Sequence, residues 1–209
     1  MKLFVLGATG PTGLQIVQQA LAQGHQVTAF VRDPSRLPIT DNNLKVVTGA
    51  LPGDARALAD ALPGHDAVIS SLGLHNALKA RGFSENNMRV LVPAMEQKGV
   101  RRLIVVSANG VGETHRHSPL LPRLMYRLLL TDIFADKKAG EDIVRASGLD
   151  WTFAYPTLLT NGPRTGNYRA GERLELKGMP KVSRADVADF VLRQLGETAF
   201  LRKAAVLSD

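Results

Sequence analysis

The chain has no cysteine. That excludes disulfides, zinc–thiolate centres and thiol nucleophiles, and nothing points to an oxidising compartment. Aromatic residues make up only 5% of the 209 positions, so platforms for stacking nucleic-acid bases are scarce. The formal charge is +7, yet Arg and Lys are dispersed rather than gathered into a basic run. That balance suits a polyanionic small molecule, and neither nucleic acid nor membrane is expected as a partner. Long hydrophobic runs are missing as well. The apolar stretch behind Met1-Lys2 ends at Gly7, too short for a signal peptide or a membrane span, so a cytoplasmic location is expected. His115 and His117 lie close together without a carboxylate or cysteine cluster at ligand spacing, and no metal site is expected.

What is present is an alternation of strand and helix patterns. Strands are predicted at 2–6, 26–31, 44–48, 66–72, 102–107 and 151–155, and helices at 12–23, 54–62, 84–98, 121–147 and 184–195. Several strands are near-continuous apolar runs, such as Leu103-Ile104-Val105-Val106, the pattern of a parallel sheet covered on both faces. The expectation is a doubly wound α/β fold (Rossmann) with right-handed crossovers. With 44% hydrophobic and 22% charged residues, residues 1–209 suit a single domain with a substantial core. Segment 156–181, rich in Gly, Pro, Asn and Arg, is expected to form a loop-rich C-terminal substrate lobe. Ser183 is the predicted N-cap of the last helix.

The most informative stretch is Gly7-Ala8-Thr9-Gly10-Pro11-Thr12-Gly13, placed between an apolar strand and a helix start. Gly7 can make the turn off the strand, Gly10 can let backbone approach a pyrophosphate, and Gly13 can let helix and strand pack closely. The helix N-terminus offers free amides to the phosphates, and Pro11 suits the first turn, where its missing N–H costs little. An ordinary tight connection would use similar residues. The β-α-β context, closed by a strand at 26–31, favours dinucleotide binding.

Ligands of such folds sit beyond the carboxyl ends of the strands. Arg32 and Arg36 follow the second strand, where an acidic residue would bind the ribose of NAD and arginine would pair with the 2′-phosphate of NADP. The two guanidinium groups therefore predict NADPH over NADH, although a solvated loop would also hold arginines. Asp33, beside Pro34, is expected to cap its own turn. Ala50 and Leu51 follow the third strand, Leu72, Gly73, His75 and Asn76 the fourth, Ser107 and Asn109 the fifth, and Pro156, Thr157 and Leu158 the sixth. His75, Asn76 and Asn109 are candidates for the substrate pocket. His25 reads as a surface turn residue.

These residues resemble the atypical short-chain dehydrogenases, within the NmrA-like NAD(P)-binding group, and most of all the biliverdin reductase B type of flavin reductase. The resemblance rests on the glycine motif, Val31-Arg32-Asp33-Pro34-Ser35-Arg36-Leu37, His65 to Ile69 leading to Leu72-Gly73, Val105-Val106-Ser107, Ala146 to Thr152, and Ser183 to Ala188. It implies phosphate contacts at Gly10, Thr12 and Gly13, and 2′-phosphate contacts at Arg32 and Arg36. It implies a dinucleotide lining at Leu72 and Gly73, Ser107 near the nicotinamide, and closure of that pocket by Pro156, Thr157 and Leu158. Where relatives have Gly-Asp after the third strand, this chain has Gly49-Ala50-Leu51, so an adenine contact there must use backbone. Leu158 replaces a histidine, which speaks against biliverdin as the substrate.

Short-chain dehydrogenases commonly use a Tyr-x-x-x-Lys pair, the tyrosine giving a proton to a carbonyl. Tyr126 has Leu130 four residues on, and Lys137, where the resemblance places the lysine, has Ile133 four residues before it. Lys137 reads equally well as a ribose-binding residue or as a surface partner of Glu141. Without a tyrosine acid, the expected chemistry is NADPH-dependent hydride transfer to a flat conjugated acceptor such as a flavin or quinone, with Ser107 and Lys137 as catalytic candidates. The alternative is an NmrA-like redox sensor that binds NAD(P) without turnover.

Overall fold

The computed structural model describes residues 1–74, 79–111 and 131–209. In chain order the elements are β1 (Lys2–Leu6), α1 (Pro11–Ala22), β2 (Gln26–Val31), β3 (Leu44–Thr48), α2 (Ala55–Ala61), β4 (Ala67–Ser70), α3 (Phe83–Lys98) and β5 (Arg102–Val106). There follow α4 (Thr131–Ala146), β6 (Asp150–Pro156), β7 (Leu158–Thr160), β8 (Arg169–Gly171), β9 (Lys181–Ser183), α5 (Arg184–Arg193) and β10 (Lys203–Ser208). An eight-stranded sheet runs β3-β2-β1-β4-β5-β6-β10-β8. Every pairing in it is parallel except β10 with β8. The expected doubly wound fold is therefore present, and the strand order reverses between β1 and β4, where such sheets open a crevice.

The apolar runs supply both faces of this sheet. Leu3 and Val5 of β1 pack with Ile16, Val17 and Ala20 of α1 and Val187 and Val191 of α5. Phe4 and Leu6 point the other way, into a cluster with Leu58 of α2, Leu91 and Met95 of α3, Val144 of α4 and Phe153 of β6. Period-two alternation thus divides one continuous hydrophobic run between two cores. Among the described residues, no helix is long and apolar enough to cross a membrane.

Helices α3 and α4 are joined by carboxylates. Gly82 precedes α3 in the left-handed region, at φ 72°, and supplies no side-chain cap. Asp136 of α4 fills that role, accepting from the amides of Ser84 at 2.8 Å and Glu85 at 3.3 Å. Asp132 accepts from the Ala80 amide at 2.7 Å. Gly140 lets the helices touch, since a Cβ there would lie 3.0 Å from the Ser84 backbone.

The C-terminal part adds strands to the predicted set. β10 was not predicted, and it extends the main sheet beside β6. Segment 156–181 is not all loop, because β8 joins the main sheet and β7 pairs with β9. Ser183 caps α5 as predicted, its Oγ accepting from the Asp186 amide at 2.9 Å. Residues 164–168 are tied down on α5 by buried carboxylates. Asp186 accepts from the amides of Thr165 and Gly166, both at 2.8 Å, while Asp189 binds Arg164 Nε at 2.8 Å and Tyr168 Oη at 2.8 Å. Burial pushes the Asp186 carboxyl up, but the Gly166, Ser183 and Thr165 hydrogen bonds outweigh it and hold it below its ordinary value.

Candidate dinucleotide and acceptor site

The glycines of the β1–α1 turn have different tasks. Gly7 sits at φ 77°, and a Cβ there would lie 2.4 Å from the Ser71 carbonyl oxygen at the end of β4. A Cβ at Gly13 would lie 2.0 Å from the Gly7 carbonyl oxygen. These two glycines let strand, turn and helix approach one another. Gly10 is different. Its φ of −78° and ψ of 158° are open to any residue, and the nearest atom to a Cβ would be 3.3 Å away. That atom is the Gly7 carbonyl oxygen, a tight contact, and among the described residues nothing else lies within 4 Å of such a Cβ. Helix α1 starts there with no side-chain cap and no acidic residue in its first turn, and its first internal bond runs from Leu14 N–H to Gly10 O at 2.8 Å. The amides of Thr12 and Gly13 precede that bond and stand at the positive end of the helix. Thr9 is half-buried in the turn and Pro11 is exposed at the first helical position. This cradle fits a dinucleotide pyrophosphate.

Past β2, Arg32 and Arg36 are exposed, and neither forms an ion pair among the described residues. Asp33 is engaged in its own turn, accepting from Ser35 N–H at 3.1 Å and Ser35 Oγ at 2.6 Å. Those bonds hold its carboxyl below the ordinary range. The turn role expected for Asp33 is thus observed, with the Arg36 charge adding to the pull on its carboxyl, and both guanidinium groups stay exposed at this strand end. Beyond β3, the Ala50 amide donates to Asp54 Oδ2 at 2.7 Å and its carbonyl accepts the Asp54 amide at 2.8 Å. Asp54 therefore competes for the backbone expected to meet an adenine, and half-buried Leu51 packs on the core.

On the other side of the crevice, Leu72, Ser107, Lys137 and Glu141 line one cavity with Ser84 and Asn87. Ser107 follows β5 and donates to Glu141 Oε1 at 2.6 Å. Tyr155 of β6 donates to the other carboxylate oxygen. Arg145 Nη2 donates to Tyr155 Oη at 3.0 Å and lies 3.7 Å from Glu141 Oε2. The Arg145 guanidinium also sits over the Trp151 and Phe153 rings, at 4.9 and 4.8 Å from their centroids. Burial lowers the Lys137 ammonium pKa against the attraction of Glu141 and Asp136. It raises that of the Glu141 carboxyl against the Ser107 and Tyr155 hydrogen bonds and the Arg145 and Lys137 charges. The Tyr155 phenol is pushed upward by burial and by Glu141, so it stays protonated. Lys137 is therefore a residue of the pocket wall rather than an exposed partner of Glu141.

Other predicted residues fall as follows. Gly73 is exposed beside Leu72, and Asn109 is half-buried, its amide bound to Pro156 O at 3.0 Å. Pro156 is buried, whereas Thr157 spends both its amide and its hydroxyl on Leu207 O, each at 3.0 Å. Leu158 is 52% exposed. His75, Asn76, His115, His117 and Tyr126 lie outside the described residues. Sequence reasoning missed Asn87, which is 1% exposed with both side-chain amide atoms unpartnered among the described residues. A polar residue on the apolar face of α3, beside Met88 and Leu91, was the available signal. It also treated Glu141 only as a companion of Lys137 and missed its link to Ser107 and Tyr155.

Comparison with known proteins agrees with this geometry. A family model for NAD(P)H-binding proteins matches residues 7–198. The chloroplastic protein At2g34460 of Arabidopsis thaliana is 32% identical over 177 residues, which is 79% of this chain and 62% of that protein, so the chain spans less than two thirds of its length. The structure of ChuY, an anaerobillin reductase from Escherichia coli O157:H7, superposes with a TM-score of 0.81 at 23% identity, covering 99% of this chain and 96% of that one. A short-chain dehydrogenase/reductase from Veillonella parvula in complex with NADP superposes with a TM-score of 0.83 at 22% identity, covering 100% and 94%. Over residues 7–198, from the glycine turn through α5, the chain belongs to the NAD(P)H-binding family, and its fold is that of the Rossmann-type structures it superposes on.

Proposed function

We propose that the protein is an NADPH-dependent reductase that passes hydride to a small, flat conjugated acceptor such as a flavin or quinone. The observation that carries this reading is on α4. Lys137 lines the pocket, but the position one turn before it, where a tyrosine acid would stand, is Ile133. The nearby phenol of Tyr155 is committed to Glu141. A ketone leaves an alkoxide that needs a proton donor in place, whereas a reduced flavin or quinone can take its proton from water. Bound NADPH would supply the hydride. Gly10, Thr12 and Gly13 would hold its pyrophosphate, Arg32 and Arg36 its 2′-phosphate, and Leu72 and Ser107 its nicotinamide end. The Asp33 turn supports NADPH over NADH, because its carboxylate is occupied where a ribose hydroxyl would need it. That a structural neighbour is described as a reductase supports the reaction class.

Steady-state kinetics with NADPH across flavins, quinones and simple ketones tests the reading. Turnover with the planar acceptors and little with ketones is the expected result. Tight NADPH binding with no hydride transfer to any of them would overturn it in favour of a cofactor sensor.

A further inference from the structure

Glu141 is a buried carboxylate, 5% exposed, that the reaction outlined above does not use. Its surroundings are unusual for a purely structural acid. Ser107 donates to one oxygen at 2.6 Å and Tyr155 to the other. Among the described residues its cationic neighbours are Arg145 and Lys137, on its own helix, and its closest ion pair is with Arg145 at 3.7 Å. The described residues that α3 and the sheet contribute to the same cavity, from Phe83, Ser84, Asn87 and Met88 to Val105 and Phe153, carry no titratable group. One of the carboxylate's two short hydrogen bonds therefore goes to a hydroxyl at the end of β5, at the nicotinamide side of the crevice.

A serine hydroxyl has one proton and two lone pairs. At 2.6 Å the Ser107 proton is committed to Glu141, the distance of a charge-assisted O–H···O⁻ bond. Ser107 can then offer only lone pairs to a ligand. It cannot donate to an acceptor oxygen, so the geometry favours its lone pairs receiving the nicotinamide amide over its proton polarising the acceptor.

We propose that Glu141 is a positioning residue for the nicotinamide. By holding the Ser107 proton, it turns the Ser107 lone pairs toward the pocket, where they receive an N–H of the cofactor's carboxamide. The inference rests on the cofactor reading above. Neutralising the carboxyl reverses the polarity: a protonated Glu141, or a glutamine amide, donates to Ser107 Oγ and turns the hydroxyl proton toward the ligand. Burial shifts the Glu141 carboxyl upward, so this reversal falls at a higher pH than for an ordinary glutamate.

Calorimetry with two ligands tests it: NADP⁺, which carries the carboxamide, and 2′,5′-ADP, which shares the 2′-phosphate but has no nicotinamide. Glu141→Gln and Ser107→Ala should each weaken NADP⁺ binding by about ten-fold or less while leaving 2′,5′-ADP unchanged. The double variant should lose no more than Ser107→Ala alone. In the wild type, the ratio of NADP⁺ to 2′,5′-ADP affinity should fall on acidification, and in Glu141→Gln it should be flat. The shared phosphate cancels from that ratio. Ser107→Ala keeps the test open if Glu141→Gln does not fold. Unchanged NADP⁺ binding in the variants, or equal weakening of both ligands, would overturn the positioning role. A wild type that binds neither ligand would overturn the cofactor reading and this inference together.

Discussion

Adding one methyl group at Gly10 and at Gly13 should have opposite consequences, although the two glycines belong to one turn. At Gly13 the new carbon would lie 2.0 Å from the Gly7 carbonyl oxygen, 2.8 Å from its carbon and 3.0 Å from Ala8 Cα. All three atoms are backbone, so no rotamer relieves the overlap, and α1 must move off β1 by more than 1 Å to reach ordinary contact (about 3.4 Å or more). Overpacking of this kind costs about 3 kcal/mol or somewhat more. For a domain of this size that corresponds to a loss of roughly 6–12 °C in Tm. At Gly10 the nearest atom would be 3.3 Å away and the backbone is already extended. There the entropy taken from the unfolded chain, about 0.4–1 kcal/mol, is set against alanine's poorer N-cap propensity and a tight contact with the Gly7 carbonyl oxygen, relieved by a small backbone shift. Gly10→Ala should thus fold with a Tm within about 3 °C of the wild type, yet bind NADPH more weakly, and Gly10→Val should not bind it. The assay is thermal unfolding without ligand, followed by NADPH titration of whichever variants fold. A Gly13→Ala protein as stable as the wild type would refute the packing argument. A folded Gly10→Val protein that binds NADPH normally would refute the phosphate cradle.

Further outcomes follow from the other groups around the crevice. Arg32→Ala should weaken NADPH binding and barely change NADH binding, and equal affinity of the wild type for both cofactors would defeat the clamp. Lys137→Met should leave ligand-free Tm unchanged or raised, since desolvation of the half-buried ammonium is costly, while weakening NADPH binding; a large fall in Tm would show that Lys137 is structural. Asp136→Ala removes the cap that α4 lends to α3 and should cost about 0.5–2 kcal/mol, read as a Tm loss of roughly 1–8 °C. Asp186→Asn should flatten the acid limb of stability. The depressed carboxyl contributes stability that is full above its unfolded pKa, near 3.8, and is lost as pH falls through the lower folded value. Urea unfolding at a series of acidic pH values would measure it, and a variant with the wild-type slope would contradict the assignment.

The amino-acid sequence by itself determined the features that depend on neighbours along the chain. The alternation of apolar runs and amphipathic segments specifies β1 to β6, α1, α2 and α3 within a few residues, because side-chain period reports which faces must be buried; of the helix expected at 121–147, residues 131–146 are helical and 121–130 lie outside the described residues. The glycine turn, the Asp33 cap and the Ser183 cap are local hydrogen-bonding and steric devices, so each was legible where it stands. The tertiary structure decided what depends on partners far along the chain. Helix α3 carries no cap of its own, and Asp136, some 50 residues away, supplies it. Residues 203–208 are too short a pattern to read alone and become a strand because β6 and β8 flank them. Ser107, Glu141 and Tyr155 come from the end of β5, from α4 and from β6, and only packing against one another turns a serine, a glutamate and a tyrosine into one buried network. Buried polar groups must find partners across space, and a sequence records the donors and acceptors without recording which of them will meet.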